Sequence, residues 1–139
     1  MSTVLRAARR LRRAAAEGEL EALCRRHDVS LLVLFGSART EHPTARDVDI
    51  AVRFDPYRPE SVLPLAEAVA ELADSSVVDL MVLNTAGPVA REQALVFGEA
   101  LYMSEPDLFA EAQIAAVMER LDTDHLRRQE LELLQSIDG

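Results

Sequence analysis

The sequence predicts an α/β domain: helices first, then strands alternating with helices, then a C-terminal helical tail. Three observations carry that expectation. Segments of strand length lie at 31–35, 47–54 and 77–83, the first and last largely apolar and the middle one alternating, each bounded by glycine, proline or polar turn residues. The segments around them repeat apolar residues at helical spacing. A chain of 139 residues with 49% hydrophobic and 28% charged residues has the composition of one ordinary globular domain.

Taken in order, residues 4–15 place Val4, Leu5, Ala8, Leu11 and Ala15 on one helical face and arginines on the others. This reads as a solvated amphipathic helix, or else as a docking arm for an acidic partner or a nucleotide. A second helix over about 17–27 turns Leu20 and Leu23 inward and takes Cys24 with them as a buried thiol. Leu31 to Phe35 is a buried strand ending at Gly36. Residues 38–46 form a polar turn and loop, and Asp47 to Phe54 is a second strand closed by the turn Asp55-Pro56-Tyr57-Arg58-Pro59. Residues 61–73 are helical through Val62, Leu65, Val69 and Leu72. Val77 to Leu83 is read as a third buried strand. A helix follows over about 88–97, and Ala100 to Met103 is a short edge strand. Ser104-Glu105-Pro106-Asp107 has the composition of a helix start, giving one helix to about Leu121. Another is expected from Asp122, carrying Leu126, Leu131, Leu133, Leu134 and Ile137. The domain is single, spanning 1–139, with a core at about 30–103 between N-terminal helices over 3–27 and C-terminal helices over 105–137.

Charge and cysteine usage narrow the function classes. A net charge of −9 opposes unaided binding to a long nucleic-acid backbone. Residues 1–16 nevertheless hold five arginines (Arg6, Arg9, Arg10, Arg12, Arg13) and no acid, which leaves about −14 on the remainder. A single cysteine, no membrane-length apolar run and no apolar leader together predict a cytoplasmic protein with no membrane partner.

The chemistry lies on the second strand and its neighbours. Alternation separates Val48, Ile50, Val52 and Phe54 from Asp47, Asp49, Ala51 and Arg53. One face is thus a core stripe, and the other opens with two carboxylates about 6.5–7 Å apart at the α-carbons. Like charges so close call for a cation, and magnesium accepts carboxylate oxygens while sharing its remaining sites with substrate phosphates. Separated from Asp47 by nine intervening residues, Gly36-Ser37 ends the first strand in a turn able to direct N–H groups at an anion. Asp79 interrupts an otherwise apolar strand, where a charge needs a metal or an ion-pair partner such as Arg46 or Arg53. A phosphate-gripping turn with three carboxylates on two strands is the equipment of metal-assisted phosphoryl or nucleotidyl transfer. Arg39 and Arg46, in the connecting loop, are further candidate phosphate contacts. His27, His42 and His125 are scattered and read as surface residues.

The stretch Leu34-Phe35-Gly36-Ser37, then Asp47-Val48-Asp49-Ile50-Ala51-Val52, then Val78-Asp79-Leu80 resembles the DNA-polymerase-β-type nucleotidyltransferases. Within that superfamily it is most similar to the minimal nucleotidyltransferases, over about residues 30–103. Arg46 departs from the serine often found before the first aspartate. The resemblance implies a nucleotidyltransferase-type mixed β-sheet packed against helices. It implies Gly36, Ser37, Arg39 and Arg46 as nucleotide-binding residues. Asp47, Asp49 and Asp79 would be catalytic ligands of two Mg²⁺ ions, with ATP as substrate. Such proteins are similar to the antitoxin half of HEPN–MNT pairs, which transfers AMP from ATP to a tyrosine hydroxyl of a HEPN ribonuclease toxin and silences it. The implied partner is a HEPN-type toxin held in a hetero-oligomer. Two alternatives stand beside it: transfer to another protein or small molecule, and neutralisation of a toxin by contact without catalysis.

Overall fold

The computed structural model describes residues 2–138. It contains one mixed four-stranded sheet with helices on both faces. In chain order the elements are α1 (Thr3–Glu17), α2 (Glu19–Arg26), β1 (Val29–Phe35), β2 (Val48–Phe54), α3 (Val62–Ala73), β3 (Val78–Val82), α4 (Pro88–Val96), β4 (Glu99–Met103) and α5 (Leu108–Asp138), with a single 3₁₀ turn before α3. The strand order is β3-β2-β1-β4. β1 runs antiparallel to β2 and β4, and β3 runs parallel to β2.

Local chemistry explains the boundaries. Ser2 caps α1, its hydroxyl accepting the Leu5 N–H at 3.2 Å. α2 ends at His27, whose N–H donates to Leu23 and Cys24 carbonyls. β1 lies between two strands and under helices on both faces, so its continuous apolar run is buried throughout except at Phe35. On one face Leu32, Leu34, Val48, Ile50, Val52 and Phe54 pack against α1, α2 and α3. On the other, Leu31, Val33 and Ala51 pack against Leu95 of α4 and Ala116 of α5. Cys24 is buried, and burial pushes its thiol up to about 12, so it is chemically quiet. His27 is half-buried, and His42 and His125 are exposed.

Two expectations are corrected. β3 is an edge strand rather than a fully buried one: it pairs only with β2, its apolar residues are half-buried, and Asp79 is exposed. The C-terminal segment is one helix of 31 residues, not two. Ser104 does not begin it, because the Ser104 N–H completes strand pairing by donating to the Ser30 carbonyl at 2.8 Å. The chain then turns through Asp107, at φ 69, before Leu108. No glycine or proline stands between Leu108 and Asp138, so nothing stops the helix near Asp122. An Arg120–Asp124 pair at 2.9 Å bridges the place where the break was expected. At 1.5 Å per residue the helix is roughly 46 Å long. Beyond Leu121 its leucines project into solvent, Leu131 and Leu133 being 57% and 62% exposed. Among the described residues no helix is long and apolar enough to cross a membrane.

Candidate active site

The site is built at one end of the sheet by three adjacent strands. In the β1–β2 ladder Phe35 faces Asp49, and in the β2–β3 ladder Asp49 faces Asp79. Gly36, the residue after Phe35, therefore lies beside Asp49, and Asp79 lies on the other side. Gly36 has φ +76, in the left-handed region that favours glycine. A Cβ built on it would overlap the Asp49 carboxylate, with Asp49 Cγ only 3.1 Å away. The glycine thus serves two ends: it turns the chain sharply and it lets a carboxylate lie directly over the backbone.

Asp49 is half-buried, whereas Asp47 and Asp79 are exposed. Burial raises the Asp49 pKa above the usual aspartate range, and the charges of Asp79 and Asp47 push it in the same direction. Among the described residues none of the three carboxylates forms an ion pair, although acids elsewhere, such as Glu41, Glu99 and Glu92, do. The alternative of an Asp79 ion pair is not what the structure contains. Arg53 donates from Nε to the Ser30 hydroxyl at 2.9 Å, and Arg46 is exposed.

The residues after Gly36 form a hydrogen-bonded turn. The Arg39 N–H donates to the Gly36 carbonyl at 3.2 Å and the His42 N–H to the Ser37 carbonyl at 3.0 Å. The Thr40 hydroxyl also donates to the Ser37 carbonyl. The turn is thus closed by the Ser37 carbonyl and not by its side chain. Among the described residues the Ser37 hydroxyl and the amides of Ser37 and Ala38 have no partner. Two N–H donors and a hydroxyl beside a carboxylate cluster are what an anionic ligand with its cation would occupy. Arg39 is half-buried in this turn, and His42 turns inward to its own loop, its Nδ1 2.7 Å from the Thr44 hydroxyl.

The donor set fits magnesium of a particular kind. Among the described residues no group of three or more histidine, cysteine, aspartate or glutamate side chains is gathered closely enough to hold a metal unaided. Three uncompensated carboxylates repel and stand open. Magnesium ordinarily takes one or two protein carboxylates and completes its sphere with water and substrate phosphate. Asp47, Asp49 and Asp79 therefore suit magnesium arriving with a nucleotide better than a closed resident site.

Sequence reasoning missed Arg12. On the helix it falls among the arginines opposite the apolar face, yet its guanidinium reaches the Arg39 carbonyl at 2.6 Å and Glu99 at 2.9 Å. Arg9 likewise binds Glu41 at 3.0 Å. The arginine face of α1 is thus partly spent inside the domain. The only signal in the sequence is the spacing of Arg9 and Arg12 on one helical face, and their partners are 32 and 87 residues away.

Comparison with known proteins agrees with this fold. Residues 19–107 match the family described as Polymerase beta, Nucleotidyltransferase. Among solved structures, a toxin–antitoxin with AMP-PNP matches with a TM-score of 0.63 and 24% identity, covering 88% of this chain and 98% of the other. The MntA–HepT toxin–antitoxin matches with a TM-score of 0.59 and 23% identity over 88% and 97%. The tri-AMPylated Shewanella oneidensis HEPN toxin in complex with MNT antitoxin matches with a TM-score of 0.60 and 22% identity over 92% and 99%. At these identities the likeness is one of fold. No match was found among curated proteins. A family match over residues 19–107, which hold the whole sheet and well over half of the chain, places this chain in the polymerase-β nucleotidyltransferase family.

Proposed function

We propose that this chain is an antitoxin that transfers AMP from ATP to a tyrosine hydroxyl of a HEPN-type toxin. The observation that carries the reading is Asp49, held over Gly36 and in register with Asp79, beside a turn with unpartnered amides. The choice of acceptor rests on the likeness to antitoxin structures solved with HEPN toxins.

In this reading the Ser37 and Ala38 amides and the Ser37 hydroxyl bind the triphosphate, and Arg39 and Arg46 add positive charge at its rim. Asp47, Asp49 and Asp79 would hold two magnesium ions. When bound, magnesium offsets charge on the entering and leaving oxygens of an in-line displacement. Asp79, the exposed carboxylate on the edge strand, stands where an incoming hydroxyl arrives and accepts its proton. The tyrosine oxygen then bonds to the α-phosphorus, the bond from that phosphorus to the α,β-bridging oxygen breaks, and pyrophosphate leaves. An open edge strand leaves this side of the site uncovered, which suits an acceptor presented by a macromolecule. The leucines of α5 beyond Leu121 offer apolar area for such a partner, forming a hetero-oligomer.

The reading is tested by incubating the purified chain, magnesium and its HEPN partner with ATP labelled at either the α- or the γ-phosphate. Label is expected on the partner only from the α-position. Transfer from the γ-position would make the enzyme a kinase, and no transfer from either would remove the enzymatic reading.

A further inference from the structure

We propose that Arg12 is a positioning residue for nucleotide binding: from α1 it clamps the Gly36–His42 turn in the orientation that presents the Ser37 and Ala38 amides. The proposal rests on the nucleotide reading of that turn, and adds a residue that touches neither nucleotide nor reacting atoms.

The turn has little to hold itself. Its own bonds are those from the Arg39 and His42 amides, the Glu41 amide to the Ala38 carbonyl, and the Thr40 hydroxyl. Only Ala38 is buried, and Gly36, Ser37 and residues 40–42 are exposed. Exposed segments with few buried contacts open at low free-energy cost. Glu41 also sits at φ 56, a left-handed conformation that a non-glycine residue keeps only when its surroundings enforce it.

α1 supplies that enforcement at two points. Arg9 grips the Glu41 carboxylate through Nε at 3.0 Å and Nη2 at 3.3 Å. Arg12 goes deeper, and its side chain is only 28% exposed. Its Nη2 donates to the Arg39 carbonyl at 2.6 Å and to Glu99 Oε1 at 2.9 Å, and its Nε donates to Glu99 Oε2 at 3.3 Å. Glu41 Oε1 lies 3.9 Å from Nη1. The planar fork is what allows one side chain to meet a carboxylate and a carbonyl together. Glu99 begins β4 and pairs with Leu34, two residues before Gly36. The anchor of Arg12 is therefore fixed relative to the strand end from which the turn departs. With Glu99 and Glu41 as neighbours its charge is balanced within the protein, so it acts on the turn through the Arg39 carbonyl and not on the phosphates.

The test uses the full chain with two readouts: amide hydrogen exchange without nucleotide or metal, and titration with magnesium and ATP. Arg12→Gln should speed exchange of the Arg39, Glu41 and His42 amides about tenfold, the size expected from losing a charge-assisted hydrogen bond. The β1 and β2 amides should be unchanged, and ATP affinity should fall several-fold to about tenfold. Arg12→Lys, which keeps the charge but not the fork, should fall between. Arg13→Gln, on the exposed face of the same helix, should match wild type. If Arg12→Gln does not fold, Glu99→Gln carries the same expectation at smaller size, because it leaves the arginine in place. Unchanged exchange in the turn would overturn the clamp, whatever the ligand. Faster exchange with wild-type ATP affinity would overturn the positioning role. A wild-type chain that binds no ATP would overturn the proposal together with the reading beneath it, and the exchange data tell that case from a failed clamp.

Discussion

Asp49→Asn is expected to abolish nucleotidyl transfer while raising the melting temperature of the magnesium-free protein. The two effects have one cause. Burial and the charges of Asp79 and Asp47 raise the pKa of Asp49, so the folded state favours the protonated form. Stability linked to this group is therefore fully present at acid pH and is lost as pH rises through the ordinary aspartate range to the raised folded value. At neutral pH the carboxylate opposes folding, and a neutral amide of the same shape removes that opposition. With magnesium and ATP the order reverses, because wild type gains ligand stabilisation that the variant cannot. The rate should fall by at least about a thousandfold, since a metal ion supplies several kcal/mol to a charged transition state. Asp47→Asn should lose activity similarly with a smaller gain in melting temperature, because Asp47 is exposed. Transfer assays and melting curves with and without magnesium check both. Wild-type rates in the two variants would remove the carboxylates from the chemistry.

Gly36→Ala is the second large effect. An L-residue at φ +76 is strained by about 1–2 kcal/mol, and here its Cβ would also displace the Asp49 carboxylate. The expected result is a loss of roughly a hundredfold or more in rate, the scale on which small misplacements act. Melting should fall by about 3–8 °C. Gly18→Ala is the matched control. Gly18 has φ +91, but a Cβ there meets nothing within 4 Å. It should lose stability through backbone strain alone and keep its activity. Equal activity losses in the two variants would show that the Gly36 effect is general strain and not displacement of Asp49.

How much of this was legible in the sequence depends on the range of the interactions. β1 and β2 were readable because their apolar residues follow strand length and strand period, properties of neighbouring positions. The edge character of β3 was not, since an apolar run does not reveal whether a strand has one partner or two. The unbroken α5 was hidden by a polar stretch, Asp122-Thr123-Asp124-His125, that resembles a linker yet contains no residue that stops a helix. At the site, residue types and spacing brought out Gly36, Ser37, Asp47, Asp49 and Asp79. The register that puts Asp49 between Gly36 and Asp79 came from pairings that local patterning does not reveal, Phe35 with Asp49 and, 30 residues on, Asp49 with Asp79. The contacts of Arg12 could not be read from its place on an arginine-rich helix, because they depend on Glu99 and on a backbone carbonyl at Arg39.

Under the proposed function, this chain silences its partner by covalent modification. Intact-mass spectrometry of a HEPN partner, co-expressed with wild type or with the Asp47→Asn/Asp49→Asn double variant, tests it most directly. With wild type the partner should gain about 329 Da for each AMP, the mass of an adenylyl group transferred with loss of pyrophosphate. With the double variant it should still co-purify with the chain, but keep its unmodified mass and most of its toxicity. Full rescue by the double variant, with no change in the partner's mass, would contradict the account and leave neutralisation by contact in its place.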